Sequence, residues 1–169
     1  MQKTLLISSR FQATLFLMAS LMAFATSGYA AGNKARAALE DATATAKKWR
    51  PDAILTSISS NSVDAEGRGV AWFYSFYSPK ARSYLAVTAR GRAIDTLELG
   101  TGSNSAVPAE FIDSDSAMAE AVKAGVKGES LRMRLTRTEW LVNSGDQKGA
   151  LSVWLNPRTG RLIKRQTVQ

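Results

Sequence analysis

Residues 130–168 read SLRMRLTRTEWLVNSGDQKGALSVWLNPRTGRLIKRQTV, and this stretch decides the fold. Three apolar-alternating runs are broken by two turn signals. Leu131, Met133 and Leu135 point one way while Arg132, Arg134 and Thr136 point the other, the period of a half-buried strand. Trp140 and Val142 fall on the arginine parity if that strand is continuous. A bulge or break is therefore expected at Arg137–Glu139, which returns Trp140 to the core face. Asn143–Gly149 reads as a turn, and Leu151, Val153 and Leu155 alternate inward again. Pro157–Gly160 reads as a hairpin loop, with Pro157 presetting φ and Gly160 free to take a positive φ. Arg161–Val168 then closes an antiparallel meander.

Immediately upstream, Asp113-Ser114-Asp115-Ser116 opens a helix whose apolar face is Met118, Ala121 and Val122. Gly125 ends it, and Gly128 keeps the chain out of helix before the meander. A looser version of the same order lies between Asn33 and Leu99. Asn33 is the expected N-cap of a first helix. Ala35, Ala38, Leu39, Ala42, Ala46 and Trp49 form its apolar stripe, and Pro51 stops it. Ala53–Ser60 fits a strand, and Asp64, Glu66 and Gly67 mark a turn. Gly69–Ser78, GVAWFYSFYS, is an aromatic strand with Trp72, Tyr74 and Phe76 on one face and Phe73, Ser75 and Tyr77 on the other. Arg82–Arg90 and Arg92–Leu99 follow as strands. Gly100–Pro108, GTGSNSAVP, has linker composition.

The first thirty residues stand apart. Lys3 and Arg10 give a positive start, Thr14–Ala25 is an uncharged apolar run, and Gly28-Tyr29-Ala30 places small residues at a cleavage site. This is the pattern of a secretory signal peptide cut after Ala30. The competing reading is a retained membrane anchor, for which the run is short, since a spanning helix needs ~20 apolar residues. No cysteine follows the run to carry a lipid. The expected organisation is thus a signal peptide at 1–30, a first unit at 31–100, a linker at 101–112 and a second unit at 113–169. The expected location is periplasmic or secreted, with no membrane span after cleavage.

Composition narrows the chemistry. The 169 residues include no cysteine and no histidine. That removes thiolate nucleophiles, disulfides, the commonest general base and the commonest transition-metal ligand. Lys3 and Arg10 are the only charges in the leader, so about 20 basic residues face 14 acidic ones in the mature chain, a net charge of about +6. Asp113 and Asp115 are spaced like the start of a calcium loop, but the glycine and bidentate Glu of such a loop do not follow. Helix capping is the better reading. Carboxylate pairs for glycoside chemistry remain formally open. The residues imply no catalytic site, no metal site and no cofactor.

WLNPRTGRLI (Trp154 to Ile163), following a helix and a strand, resembles the end of a PepSY domain. Those modules close with a strand, an aspartate-x-x-Thr-Gly turn and a short strand. Thr159 and Gly160 match that turn, and Asn156 stands where the family often carries aspartate. GRGVAWFYSF (Gly67 to Phe76) and TARGRAI (Thr88 to Ile94) are similar to longer, sheet-rich PepSY-like variants, without the Thr-Gly turn. The resemblance implies an α+β fold of two repeats, each one helix packed on an antiparallel β-meander, cystatin-like in plan. It also implies an exported, non-catalytic role in binding or inhibiting other proteins such as peptidases.

Two binding surfaces follow. The outward aromatic parity, Phe73 and Tyr77, suits a protein partner in the envelope or outside the cell, recognised by the open sheet face or by an edge strand. The basic positions Arg132, Arg134, Arg137 and Arg161 suit an anionic envelope polymer such as lipopolysaccharide. The competing reading of both is plain sheet surface, with outward charge guarding an edge. Nucleic acid is a poor partner for an exported chain.

Overall fold

Strand alternation sorts the side chains of this chain onto two faces of one antiparallel sheet. The computed structural model describes residues 32–129 and 131–169. The leader expected at residues 1–30, and Ser130, lie outside the described residues. The element order is α1 (Leu39–Trp49), β1 (Ile54–Val63), β2 (Trp72–Ser78), β3 (Ser83–Arg90), β4 (Ala93–Leu99), α2 (Ser114–Lys123), β5 (Leu131–Leu135), β6 (Trp140–Asn143), β7 (Leu151–Leu155) and β8 (Leu162–Thr167). The strands form a single eight-stranded sheet in the order β4-β3-β2-β1-β5-β6-β7-β8. Among the described residues no helix is long and apolar enough to cross a membrane.

Both helices lie on the same side of the sheet, over the face that carries the core. α1 packs on β2 and β3, and α2 packs on β6 and β7. Trp72, Tyr74 and Phe76 are buried on β2, as alternation requires, and Ile58, Val87, Leu131, Met133, Leu135, Trp140, Val142, Val153 and Leu155 join them. The alanine stripe of α1 buries Ala42 and Ala46. Small side chains let the helix sit close to the sheet, so the large core residues come from the strands.

The break expected at Arg137–Glu139 is a full reversal. Leu135 pairs with Trp140, and the Thr136 N–H donates to the Glu139 carbonyl at 2.9 Å. Directly opposite residues of an antiparallel pair share a face. Leu135 and Trp140 are therefore both buried, and the second meander has four strands where the sequence showed three runs. The first strand also runs further than Ala53–Ser60, ending at Val63.

Three local expectations change. Asn33 does not cap α1: its N–H donates to Gly69 and its carbonyl accepts from Gly69, both at 2.9 Å. That pairing holds Asn33 in extended backbone six residues before the helix, which starts after Ala38 with no side-chain cap. On α2, Val122 is 45% exposed and Ala117 takes its place in the core beside Met118 and Ala121. Arg137 leaves the strand for the β5–β6 turn. The α2 termini do follow the sequence. Asp113 accepts from the Ser114 N–H at 2.7 Å. At the other end Gly125 N–H donates to Val122 O and Val126 N–H to Ala121 O, with Gly125 at φ +104°. These are the paired bonds of a Schellman ending.

The two halves are joined twice. In the sheet, β1 pairs with β5 through Ile58↔Leu135, Ser59↔Arg134 and Ser60↔Met133. Above the sheet, the lead-in to α1 meets the start of α2. The Ala35 N–H donates to Ser114 Oγ at 3.0 Å and the Arg36 N–H to Asp113 Oδ1 at 3.1 Å. The Arg36 guanidinium reaches the Phe111 carbonyl and lies 4.0 Å over the Phe111 ring. Lys34 pairs with Asp115 at the rim of the same joint. Each half also ties its helix lead-in to a buried tryptophan: Trp72 Nε1 donates to Asn33 O at 2.7 Å, and Trp140 Nε1 to Ile112 O at 3.0 Å. Tyr74 adds a bond from its hydroxyl to Ala35 O at 2.8 Å, and burial pushes its phenol well above the usual range, so it stays a neutral donor.

This joint generates two predictions. Ser114 and Ala35 are fully buried, so Ser114→Ala strands the Ala35 N–H and should cost about 1–3 kcal/mol in denaturant unfolding. Gly67→Ala should cost more, since Gly67 has φ +75° and an added Cβ would lie 2.4 Å from the Ser114 carbonyl oxygen.

A pH dependence follows from the same place. The hydrogen bond and charge of Lys34 hold the Asp115 carboxyl below its ordinary value, and the same contact holds Lys34 above its own. The Lys80 backbone N–H and the Ser78 hydroxyl likewise hold Asp52 low. A lowered carboxylate contributes stability above its unfolded pKa and loses it as pH falls through the folded value; a raised lysine loses its contribution only as pH rises through its own. Stability should be level through neutral pH and fall in acid below about pH 4. Asp115→Asn should flatten part of that acid fall in urea midpoints measured between about pH 2 and 7.

Candidate functional site

The face of the sheet opposite the helices is the candidate site. Its residues are those of the alternate parity, and the strand registers set them in rows. One row runs Thr88, Phe73, Ser59, Arg134, Leu141, Trp154, Lys164 across β3, β2, β1, β5, β6, β7 and β8. It crosses the β1–β5 seam, so neither half holds it alone. A parallel row carries Arg132, Asn143, Ser152 and Gln166.

The middle of this face is sunken because its side chains there are small. Ser57 and Ser59 on β1 and Ser75 on β2 form the floor of an open groove of about 440 Å³. Arg132 and Arg134 on β5, with Leu141 and Asn143 on β6, form its other wall. Larger groups flank it. Phe73, Tyr77, Leu141 and Trp154 are each half-buried. Tyr77 is packed against Tyr84 with ring centroids 4.8 Å apart, and Lys164 sits 5.0 Å over the Trp154 ring.

The two arginines differ in their surroundings. Arg132 Nη1 is 2.6 Å from Asp146 Oδ2, both side chains being well exposed, so the pair contributes little to stability. Asp146 is held at that end by the β6–β7 loop, where Asn143 Oδ1 accepts from the Gly145 N–H at 2.7 Å and Asn143 Nδ2 donates to Ser152 Oγ at 2.7 Å. Arg134 has no ion-pair partner among the described residues and is exposed beside the groove.

Of the residues singled out in the sequence, the fold gathers Phe73, Arg132 and Arg134 around one depression, with Tyr77 further along the same face. It does not bring Arg137 and Arg161 there. Arg137 sits in the β5–β6 turn at the end of the sheet, beside Arg158 and Pro157. Arg161 follows the Asn156–Gly160 turn, where its N–H donates to Thr159 Oγ1. In that turn Asn156 Oδ1 accepts from the N–H groups of Arg158 and Thr159 at 3.0 and 3.1 Å, the acceptor work an aspartate would do. The serine floor was visible in principle, because Ser57, Ser59 and Asn61 recur at every second position of β1. Leu141 was hidden by the open parity of the Arg137–Glu139 segment, whereas the inward alternation of Leu151, Val153 and Leu155 already sent Trp154 to the outer face, where only its place beside Leu141 could not be read.

Among the described residues no three carboxylates lie together in a way that would hold a metal ion. Asp113 and Asp115, the calcium-like spacing, are engaged in capping α2 and in pairing with Lys34. What the face offers chemically is recognition: apolar and aromatic surface interleaved with cations, around a polar depression.

No protein-family model matches the chain, and no curated protein matches it. Among solved structures, the crystal structure of a "putative lipoprotein" from Clostridium difficile 630 superposes with a TM-score of 0.52 at 13% sequence identity. The match covers 76% of this chain and 91% of that one. The chain therefore shares its fold with that protein.

Proposed function

We propose that this chain is an exported, non-catalytic binding module. It is built of two PepSY-like units, 31–100 and 113–169, joined by a linker at 101–112. It recognises another envelope or secreted protein, such as a peptidase, through the open face of its sheet. The observation that carries this reading is the row Phe73–Ser59–Arg134–Leu141–Trp154–Lys164, which crosses the seam on the face the helices leave bare. Aromatic and arginine side chains gathered on one surface are the composition of interface hot spots. The two-unit reading is supported by the order of one helix and four strands occurring twice, with the first strand of each half meeting at the centre of the sheet. Export, to the periplasm or beyond, rests on the leader pattern of residues 1–30.

A second reading is favoured by the groove itself. A serine floor with Arg132 and Arg134 beside it suits an anionic group, so an acidic envelope polymer is the alternative ligand. The two readings separate by salt. Polymer binding through exposed cations falls steeply as ionic strength rises, because the Debye length shrinks from about 10 Å at 0.1 M to about 3 Å at 1 M. A protein contact with a desolvated aromatic centre persists.

Affinity capture from an envelope extract, followed by titration of the recovered partner, tests the proposal. Arg134→Ala and Trp154→Ala should each weaken binding about tenfold or more, a change of about 1.4 kcal/mol. Arg92→Ala, in the β3–β4 turn, should leave it unchanged. Binding that survives both open-face substitutions overturns the assignment of this face.

A further inference from the structure

The sheet ends on two strands that face no partner strand among the described residues, β4 on one side and β8 on the other. All six residues of β8 are exposed, as are five of the seven in β4. Both carry apolar side chains into solvent: Leu97 is 65% exposed, Leu162 47% and Ile163 56%. An unpaired edge with exposed apolar residues is a template for strand addition.

The charges of the two edges are opposite. β4 carries Asp95 and Glu98, whereas β8 carries Lys164 and Arg165. The registers place them by face. Asp95 lies opposite Thr88 and Lys164 opposite Trp154, both on the open face. Glu98 lies opposite Leu85 and Arg165 opposite Val153, both on the helix face. Each face thus has one acid at the β4 edge and one base at the β8 edge. Charge that merely guards an edge needs no such pairing. Here the pattern disfavours β4 against β4 and β8 against β8, and favours β4 against β8 in the register that sets Asp95 opposite Gln166, where Asp95 is the diagonal neighbour of Lys164 and Glu98 that of Arg165.

Strand direction agrees. Every neighbouring pair in the sheet is antiparallel, and the number of strands is even, so β4 and β8 run in opposite directions. A second copy set beside the first in the same orientation presents its β4 antiparallel to the first copy's β8. Its helices then stay on the helix side and its open face on the open side. The strands are matched in length, seven residues against six.

We propose that the partner of these edges is a second copy of this chain, joined head to tail through β4 of one copy and β8 of the next. Such a contact is heterologous, so it leaves a free β4 and a free β8 at its ends and permits further copies to add. Sheet twist rotates each copy relative to the last, giving an open, coiled row. The open faces then stand side by side. The edges lie outside the groove, and the contact stands whether or not the groove binds a protein; Lys164 alone belongs also to the open-face row, so D95K/E98K is the variant that leaves that row intact.

The test is sedimentation velocity of the full chain, purified as the cell processes it, over a range of concentrations at low and high salt. The wild type should show association that rises with concentration and weakens with salt. Two edge variants are compared, D95K/E98K, with both edges basic, and K164E/R165E, with both edges acidic. Each alone should associate at least about tenfold more weakly than wild type. Mixed in equal amounts they should associate again, because each basic edge then meets an acidic one. Recovery on mixing also shows that both variants are folded. A wild type that stays monomeric at every concentration overturns the proposal. So does association that the reversals do not weaken, or variants that fail to recover on mixing while retaining the wild-type circular dichroism.

Discussion

The hydrogen bond from the Ala35 N–H to Ser114 Oγ sits where everything else in this molecule meets. Both residues are fully buried. It lies above the place where β1 and β5 pair, and it is flanked by the bond from the Arg36 N–H to Asp113. The chain thus closes the seam from two sides, by a strand ladder below and by the helix lead-ins above. Buried polar groups hold only if they are satisfied, and here each half satisfies groups of the other. Gly67 belongs to this joint because its missing side chain leaves room for the Ser114 carbonyl.

From the seam outward, two buried tryptophans set the distance between helix layer and sheet. Trp72 and Trp140 each fill the core with an indole ring and spend its one donor on the backbone just before a helix. A tryptophan buried without a partner would leave that donor unsatisfied, so each ring fixes the chain that crosses above it. Helix cover on one face leaves the other bare. The groove, the arginines and the half-exposed aromatics are on that bare face because alternation sends every second residue there. Its central row exists only while the seam is formed, since Phe73 and Ser59 come from one half and Arg134, Leu141 and Trp154 from the other.

Much of this was legible in the sequence, and what was not has physical causes. Periodicity of two placed Trp72, Tyr74 and Phe76 inward and Arg132 and Arg134 outward, because those strands are regular and flanked by clear turns. The reversal at Thr136–Glu139 was visible as a break in parity. Its form was not, since a bulge and a tight turn both restore Trp140 to the core. Asn33 looked like a cap because cap preference is a local property, while the pairing of Asn33 with Gly69 is a long-range one. The joining of the two meanders into one sheet left no local trace: β1 and β5 pair residues as far apart in the chain as Ile58 and Leu135. For the same reason the sequence grouped Arg137 and Arg161 with Arg132 and Arg134, although the turns carry them to the end of the sheet.

Native-state hydrogen exchange of the β1 and β5 amides tests most directly whether one seam-joined sheet carries the site. Ile58, Ser59 and Ser60 should share one protection free energy with Met133, Arg134 and Leu135, equal to that of global unfolding, because strands closed from both sides can open only together. If the amides of one half exchange through a lower-energy opening while those of the other remain protected, the halves are independent and the open face is not a single surface.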